Sequence, residues 1–135
     1  MRGRGKEVLI ASQAPKALGP YSAGIRSNGM IFTSGNVGID PATGKLVDGG
    51  IEAETRQALA NLAAVLAAGG SSLDRVLKTT VFLANMDDYA AMNQVYAEHF
   101  GQDPPARSAV QVVRLPAGAQ VEIEAIAVVE ERLGD

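Results

Sequence analysis

The chain has 135 residues, 47% hydrophobic and 20% charged, the length and balance of one globular domain. A net charge of −3 and 4% aromatic residues supply neither the basic face nor the stacking platforms on which nucleic-acid binding rests. The absence of cysteine excludes disulfides, thiolate nucleophiles and cysteine-ligated zinc. No apolar run approaches the roughly 18 residues that cross a bilayer. No apolar stretch of the secretory kind follows the basic start Met1-Arg2-Gly3-Arg4-Gly5-Lys6. Residues 1–135 are therefore expected as one domain in the cytoplasm, with 1–6 a flexible basic tail.

Val8-Leu9-Ile10 reads as a short edge strand. Two prolines and a glycine within Ala14–Pro20 make a loop. Extended chain resumes at Ile25 and turns at Asn28-Gly29, a strong hairpin signal because both residues tolerate positive φ. Met30–Ser34 then predicts a strand that Gly35 ends, and Asp40–Gly44 a turn. From Ile51 to Ala68 apolar residues recur at helical spacing: Ile51, the Thr55 methyl, Ala58, Leu59, Leu62, Val65 and Leu66. Glu52 and Glu54 suit the first turn of that helix, and Gly69-Gly70 stops it. Arg75–Leu83 carries apolar groups on both faces, the pattern of an interior strand. A second helix is predicted over Asp87–Phe100, capped by Asn85 or Asp87, with Tyr89, Met92, Tyr96 and Phe100 as its buried stripe. Strands near Arg107–Val113 and Val121–Val129 close the chain, joined by Leu115–Ala119 and expected as a hairpin of unfixed register.

This order predicts an α+β fold with a mixed β-sheet and both helices packed on one face. Strands that are apolar on both sides, with no third helix, then leave a sheet face for another subunit to cover.

In the last strand Val121, Ile123, Ala125, Ala127 and Val129 share one face, and Glu122, Glu124, Ile126 and Val128 the other. Glu122, near the strand start, is expected to be solvated. Glu124, beside Ile126, is expected half-buried, where an unpaired carboxylate costs free energy. It is either a salt-bridged rim residue or a group that positions water or accepts a proton. Arg107 follows the rigid Pro104-Pro105-Ala106 and opens a strand. Its planar fork matches a carboxylate, either in an ordinary ion pair or as an anion clamp. The single histidine, His99, reads as a structural or surface residue, and with no cysteine a His-rich metal site is excluded within one chain. Ser34 lacks the elbow of a hydrolase, Asp87-Asp88 reads as helix-start charge, and no glycine-rich nucleotide motif is present.

Four segments together resemble the Rid family, the reactive intermediate deaminases also called YjgF or L-PSP proteins. They are Ala14-Pro15-Lys16-Ala17-Leu18-Gly19-Pro20-Tyr21-Ser22, Ile31-Phe32-Thr33-Ser34-Gly35, Pro105-Ala106-Arg107-Ser108 and Val121-Glu122-Ile123-Glu124-Ala125-Ile126-Ala127. The resemblance runs over about residues 14–129. It implies a chorismate-mutase-like fold, a homotrimer, and active-site clefts between subunits. It implies hydrolysis of 2-iminobutanoate or 2-iminopropanoate to the 2-keto acid and ammonia, without metal or cofactor. By this resemblance Arg107 clamps the carboxylate of the small 2-imino acid, and Glu124 holds and activates the water. Tyr21, Ser34, Gly35 and Asn93 line the cleft. Ala109 departs from the cysteine that many active members carry two residues after the arginine, which alters pocket shape more than mechanism.

Two other functions compete: a non-catalytic regulatory protein that binds small carboxylates in the same cleft, and an endoribonuclease or translation inhibitor. A pure anion binder has little use for a carboxylate such as Glu124 beside its ligand. The acidic balance of the chain counts against RNA.

Overall fold

The computed structural model describes residues 5–129; residues 1–4 of the expected tail lie outside them, as do 130–135. Lys6 makes a one-residue bridge. Among the described residues the chain order is β1 (Glu7–Leu9), β2 (Gly24–Ser27), β3 (Met30–Thr33), β4 (Asn36–Val37), β5 (Ile39–Asp40), β6 (Lys45–Leu46), α1 (Gly50–Ala68), β7 (Val76–Leu83), α2 (Tyr89–Phe100), β8 (Ala106–Gln111) and β9 (Val121–Val128). Single 3-10 turns lie at Leu73–Arg75, Met86–Asp88 and Pro116–Gly118.

Asn28 and Gly29 turn the β2–β3 hairpin with φ of 51° and 75°, the left-handed geometry their side chains tolerate. The main sheet has the order β1-β2-β3-β9-β7-β8, with β4 also on β9, and β5–β6 form a separate small hairpin. β7 and β8 are parallel, and α2 supplies the crossover such a pair requires. The sheet is therefore mixed, as expected. The last two strands are not the expected hairpin: β7 lies between β8 and β9. β9 is buried at every second residue and takes a central place, whereas β8 is largely exposed and suits the edge.

Both helices pack on one face of the sheet. Leu59, Leu62 and Leu66 of α1 and Met92 of α2 join Ile31, Val81, Leu83, Val121 and Ile123 in a fully buried core. Each such side chain contributes about 1.5–3 kcal/mol relative to exposure. α1 ends in a Schellman motif: Ser71 N–H donates to Leu66 O at 2.9 Å and Gly70 N–H to Ala67 O at 3.1 Å. Gly70 has the φ of 84° that this motif needs. Buried Asn61 of α1 donates to Val37 O at 3.0 Å and to Ile39 O at 2.8 Å, fixing the β4–β5 segment to the helix. Asn85 Oδ1 accepts from Asp87 N–H at 2.9 Å and caps the 3-10 turn Met86–Asp88; α2 itself begins at Tyr89, two residues later than expected, after Asp88, whose side chain makes no cap bond. The buried face of α2 is Met92, Val95, Tyr96 and Phe100. Tyr89, expected within that stripe, is 39% exposed, because the first turn of α2 overhangs the β8 edge.

On the opposite sheet face Val8, Ile25, Phe32 and Ile126 stand in register across four strands. Val8 is 52% and Phe32 43% exposed, and no helix among the described residues covers this row.

Candidate active site

The geometry begins at β7, which separates the two strands bearing Arg107 and Glu124. Arg107 lies opposite Thr79, whereas Glu124 lies opposite Thr80. Side chains alternate along a strand, so this one-residue offset sends the two groups to opposite faces of the sheet. Within one chain they do not meet.

Arg107 emerges on the helix side. Its Nη2 donates to the Tyr89 hydroxyl at 3.0 Å. The guanidinium carbon sits 4.6 Å from the centroid of the Tyr96 ring and 5.5 Å from that of Tyr89. Tyr96 is anchored in turn, its hydroxyl bonded to that of buried Thr79 at 2.7 Å. Burial raises the pKa of Tyr96. The Asn93 side chain, and next Arg107, lower that of Tyr89. The Asn93 Oδ1 is buried without a hydrogen-bond partner. Among the described residues no carboxylate pairs with Arg107. Two tyrosine rings hold its fork in place, a contact worth about 0.5–2 kcal/mol per ring in general.

Tyr21, Ser34 and Gly35 come together elsewhere, around a pocket whose walls also include Lys16, Asn36 and Val65. The Tyr21 hydroxyl accepts from Leu18 N–H at 3.1 Å. Ser34 Oγ donates to Ser22 O at 2.6 Å, so its hydroxyl pins the loop before β2. Between Phe32, opposite Ile126, and Asn36, opposite Ile123, three residues of one strand face two of β9. The Thr33 hydroxyl accepts from Ala125 N–H at 3.0 Å across this break in the ladder.

Glu124 lies beside the same break on the open sheet face, in a shallow recess with Phe32, Lys78, Thr80 and Ile126. Glu122 shares that face. It is half-buried rather than solvated as expected, because Gly35 passes directly over it. A Cβ at Gly35 would lie 2.6 Å from the Glu122 carboxylate, so any larger residue there would push that side chain aside. Burial, and then the charge of Glu124, raise the pKa of Glu122.

The expected site residues thus fall in separate places: Arg107 and Asn93 beside Tyr89 at the β8 edge, Tyr21, Ser34 and Gly35 around one pocket, and Glu124 in a recess of its own on the open sheet face. Sequence reading missed Tyr89, Tyr96 and Glu122 as neighbours of these groups. The spacing of Tyr89 and Tyr96, two helical turns apart, is a signal that core packing explains equally well. His99 is structural, its Nδ1 2.9 Å from Val95 O. Among the described residues no three His, Asp or Glu side chains are grouped to hold a metal ion, and no helix is long and apolar enough to cross a membrane.

A mixed sheet with two helices on one face defines an α+β protein. The family profile described as endoribonuclease L-PSP matches residues 11–129, and the chain belongs to that family, the Rid proteins. A Pyrococcus horikoshii RutC family protein is 52% identical over 122 residues, 90% of this chain and 97% of its own. A mouse protein named 2-iminobutanoate/2-iminopropanoate deaminase is 47% identical over 123 residues, 91% of each chain. The crystal structure of YyfA, a Rid-family protein of unknown function from Yersinia pestis, superposes with a TM-score of 0.88 at 47% identity, covering 92% of this chain and 99% of YyfA.

Proposed function

We propose that this chain is a metal-independent cytoplasmic deaminase of reactive 2-imino acids, working as a homotrimer of chorismate-mutase-like subunits. Water adds to the C=N carbon of 2-iminobutanoate or 2-iminopropanoate; the carbon–nitrogen bond then breaks, giving the 2-keto acid and ammonia. The observation that carries this reading is the Arg107 guanidinium, fixed on Tyr96 and Tyr89 and free of any carboxylate partner among the described residues. A structural arginine is ordinarily paired with an acid; one held open on aromatic rings is a receptor for an anion.

Arg107 holds the substrate carboxylate and so fixes the imine carbon in space, which is itself a large source of rate. Glu124 of a neighbouring subunit takes a proton from the attacking water and returns it to the departing nitrogen. Tyr21, Ser34 and Gly35 of that neighbour shape the facing wall. A cleft between chains is the arrangement that lets groups on opposite sheet faces act on one substrate, and the apolar row on the open face supplies a surface for assembly. The imine carbon is electrophilic, especially when protonated, and needs no covalent nucleophile. A pure carboxylate binder is disfavoured by Glu124, whose charge repels a bound acid, and no observation favours RNA.

The test generates 2-iminobutanoate from threonine with a dehydratase and follows its loss. The wild-type chain accelerates it, and Arg107→Ala abolishes the acceleration while keeping the fold. Wild-type rates in that variant would remove Arg107 from the site.

A further inference from the structure

We propose that the Tyr89 hydroxyl is a third donor of the anion site, directing its O–H hydrogen bond at the acid group that Arg107 grips. This rests on the reading of Arg107 as the carboxylate clamp.

The two tyrosines under Arg107 are built differently. Tyr96 is buried, and its hydroxyl is bonded to Thr79, so it serves Arg107 as a platform only. Tyr89 is 39% exposed at the mouth of the site. Its oxygen accepts from Arg107 Nη2 at 3.0 Å. The Asn93 carboxamide, one helical turn along, lies against the same oxygen and acts on its acidity ahead of Arg107. With Arg107 donating to the oxygen, the hydroxyl offers its own proton in turn. Among the described residues no hydrogen bond takes that proton. The proton therefore lies beside the Arg107 fork, where a carboxylate oxygen arrives. A phenol made more acidic by its neighbours is also a better donor to an anion. Arg107 supplies charge and the in-plane fork; Tyr89 supplies a directional bond that is stronger to a charged acid oxygen than to a neutral carbonyl. The site thereby selects small 2-substituted carboxylates over their amides.

The experiment measures binding of 2-oxobutanoate to the full chain by calorimetry, beside steady-state kinetics with 2-iminobutanoate. Tyr89→Phe keeps the ring under Arg107 and alters an exposed position, so the fold is retained. It is expected to weaken 2-oxobutanoate about tenfold and to raise KM similarly, with kcat within about twofold, because a hydrogen bond to a charged group is lost. Wild-type affinity should also fall at alkaline pH as the phenol ionises beside Arg107 of β8 and Asn93 of α2, and that limb should be missing in Tyr89→Phe. Wild-type affinity and an unchanged alkaline limb in Tyr89→Phe, with Arg107→Ala unable to bind, overturn the proposal and leave the clamp standing. An effect confined to kcat overturns it too. Unchanged binding in Arg107→Ala removes the clamp itself, and this inference with it.

Discussion

Arg107 and Glu124 flank the same strand one residue out of step, opposite Thr79 and Thr80, and so project from opposite faces of the sheet. The offset follows from the hydrogen-bonded register of the three strands and cannot be repaired by a side-chain rotation. A reaction needing both groups on one substrate is therefore a reaction between chains.

Glu124→Gln keeps the shape of the side chain and loses its basicity. It should leave 2-oxobutanoate binding intact or slightly tighter, since one negative charge is gone from the site. Turnover of 2-iminobutanoate should fall by about 10²–10⁴, the usual worth of a positioned base. Single-turnover kinetics beside calorimetry separate the two effects.

Asn61 fixes the segment that leads out of the β3–β4 break. Asn61→Ala strands two carbonyl groups, those of Val37 and Ile39, in a buried place. Urea unfolding should show a loss of about 2–4 kcal/mol.

Glu54 is 5% exposed, and its Oε1 accepts from Gln120 N–H at 2.8 Å. Burial raises its pKa, the Gln120 hydrogen bond opposes this, and Asp88 adds to the rise. A carboxyl whose folded pKa is raised gives its full stabilisation below the unfolded carboxylate pKa and loses it as pH rises through the folded value. The melting temperature should accordingly fall from mildly acidic toward neutral pH. Glu54→Gln keeps the acceptor without the charge. It should melt higher than wild type at neutral pH and match it in acid. Glu122 is shifted the same way and leaves a residual slope.

Local signals were legible in the chain. Asn28-Gly29 set the first hairpin, the apolar spacing over 51–68 gave α1 to within a residue, and strict alternation gave both faces of β9. Three features were not legible, and all are long-range. The adjacency of β7 with both β8 and β9 depends on where the α2 crossover lays the chain down, which no local pattern encodes. The burial of Glu122 comes from Gly35, distant in sequence. Tyr89 fits an apolar stripe by spacing, yet it sits where the sheet ends beneath the helix. The residue types of the site were readable one by one; their division between two sheet faces was not.

The central claim is that Arg107 of one chain works with Glu124 of another. Arg107→Ala and Glu124→Gln, each inactive alone, should be tagged differently, refolded together and isolated as hybrid oligomers. In the proposed trimeric ring, whose every site takes one residue from each of two neighbours, every hybrid regenerates one intact site in three. Imine hydrolysis near a third of the wild-type rate is the predicted result. Isolated hybrids as inactive as either parent would contradict it.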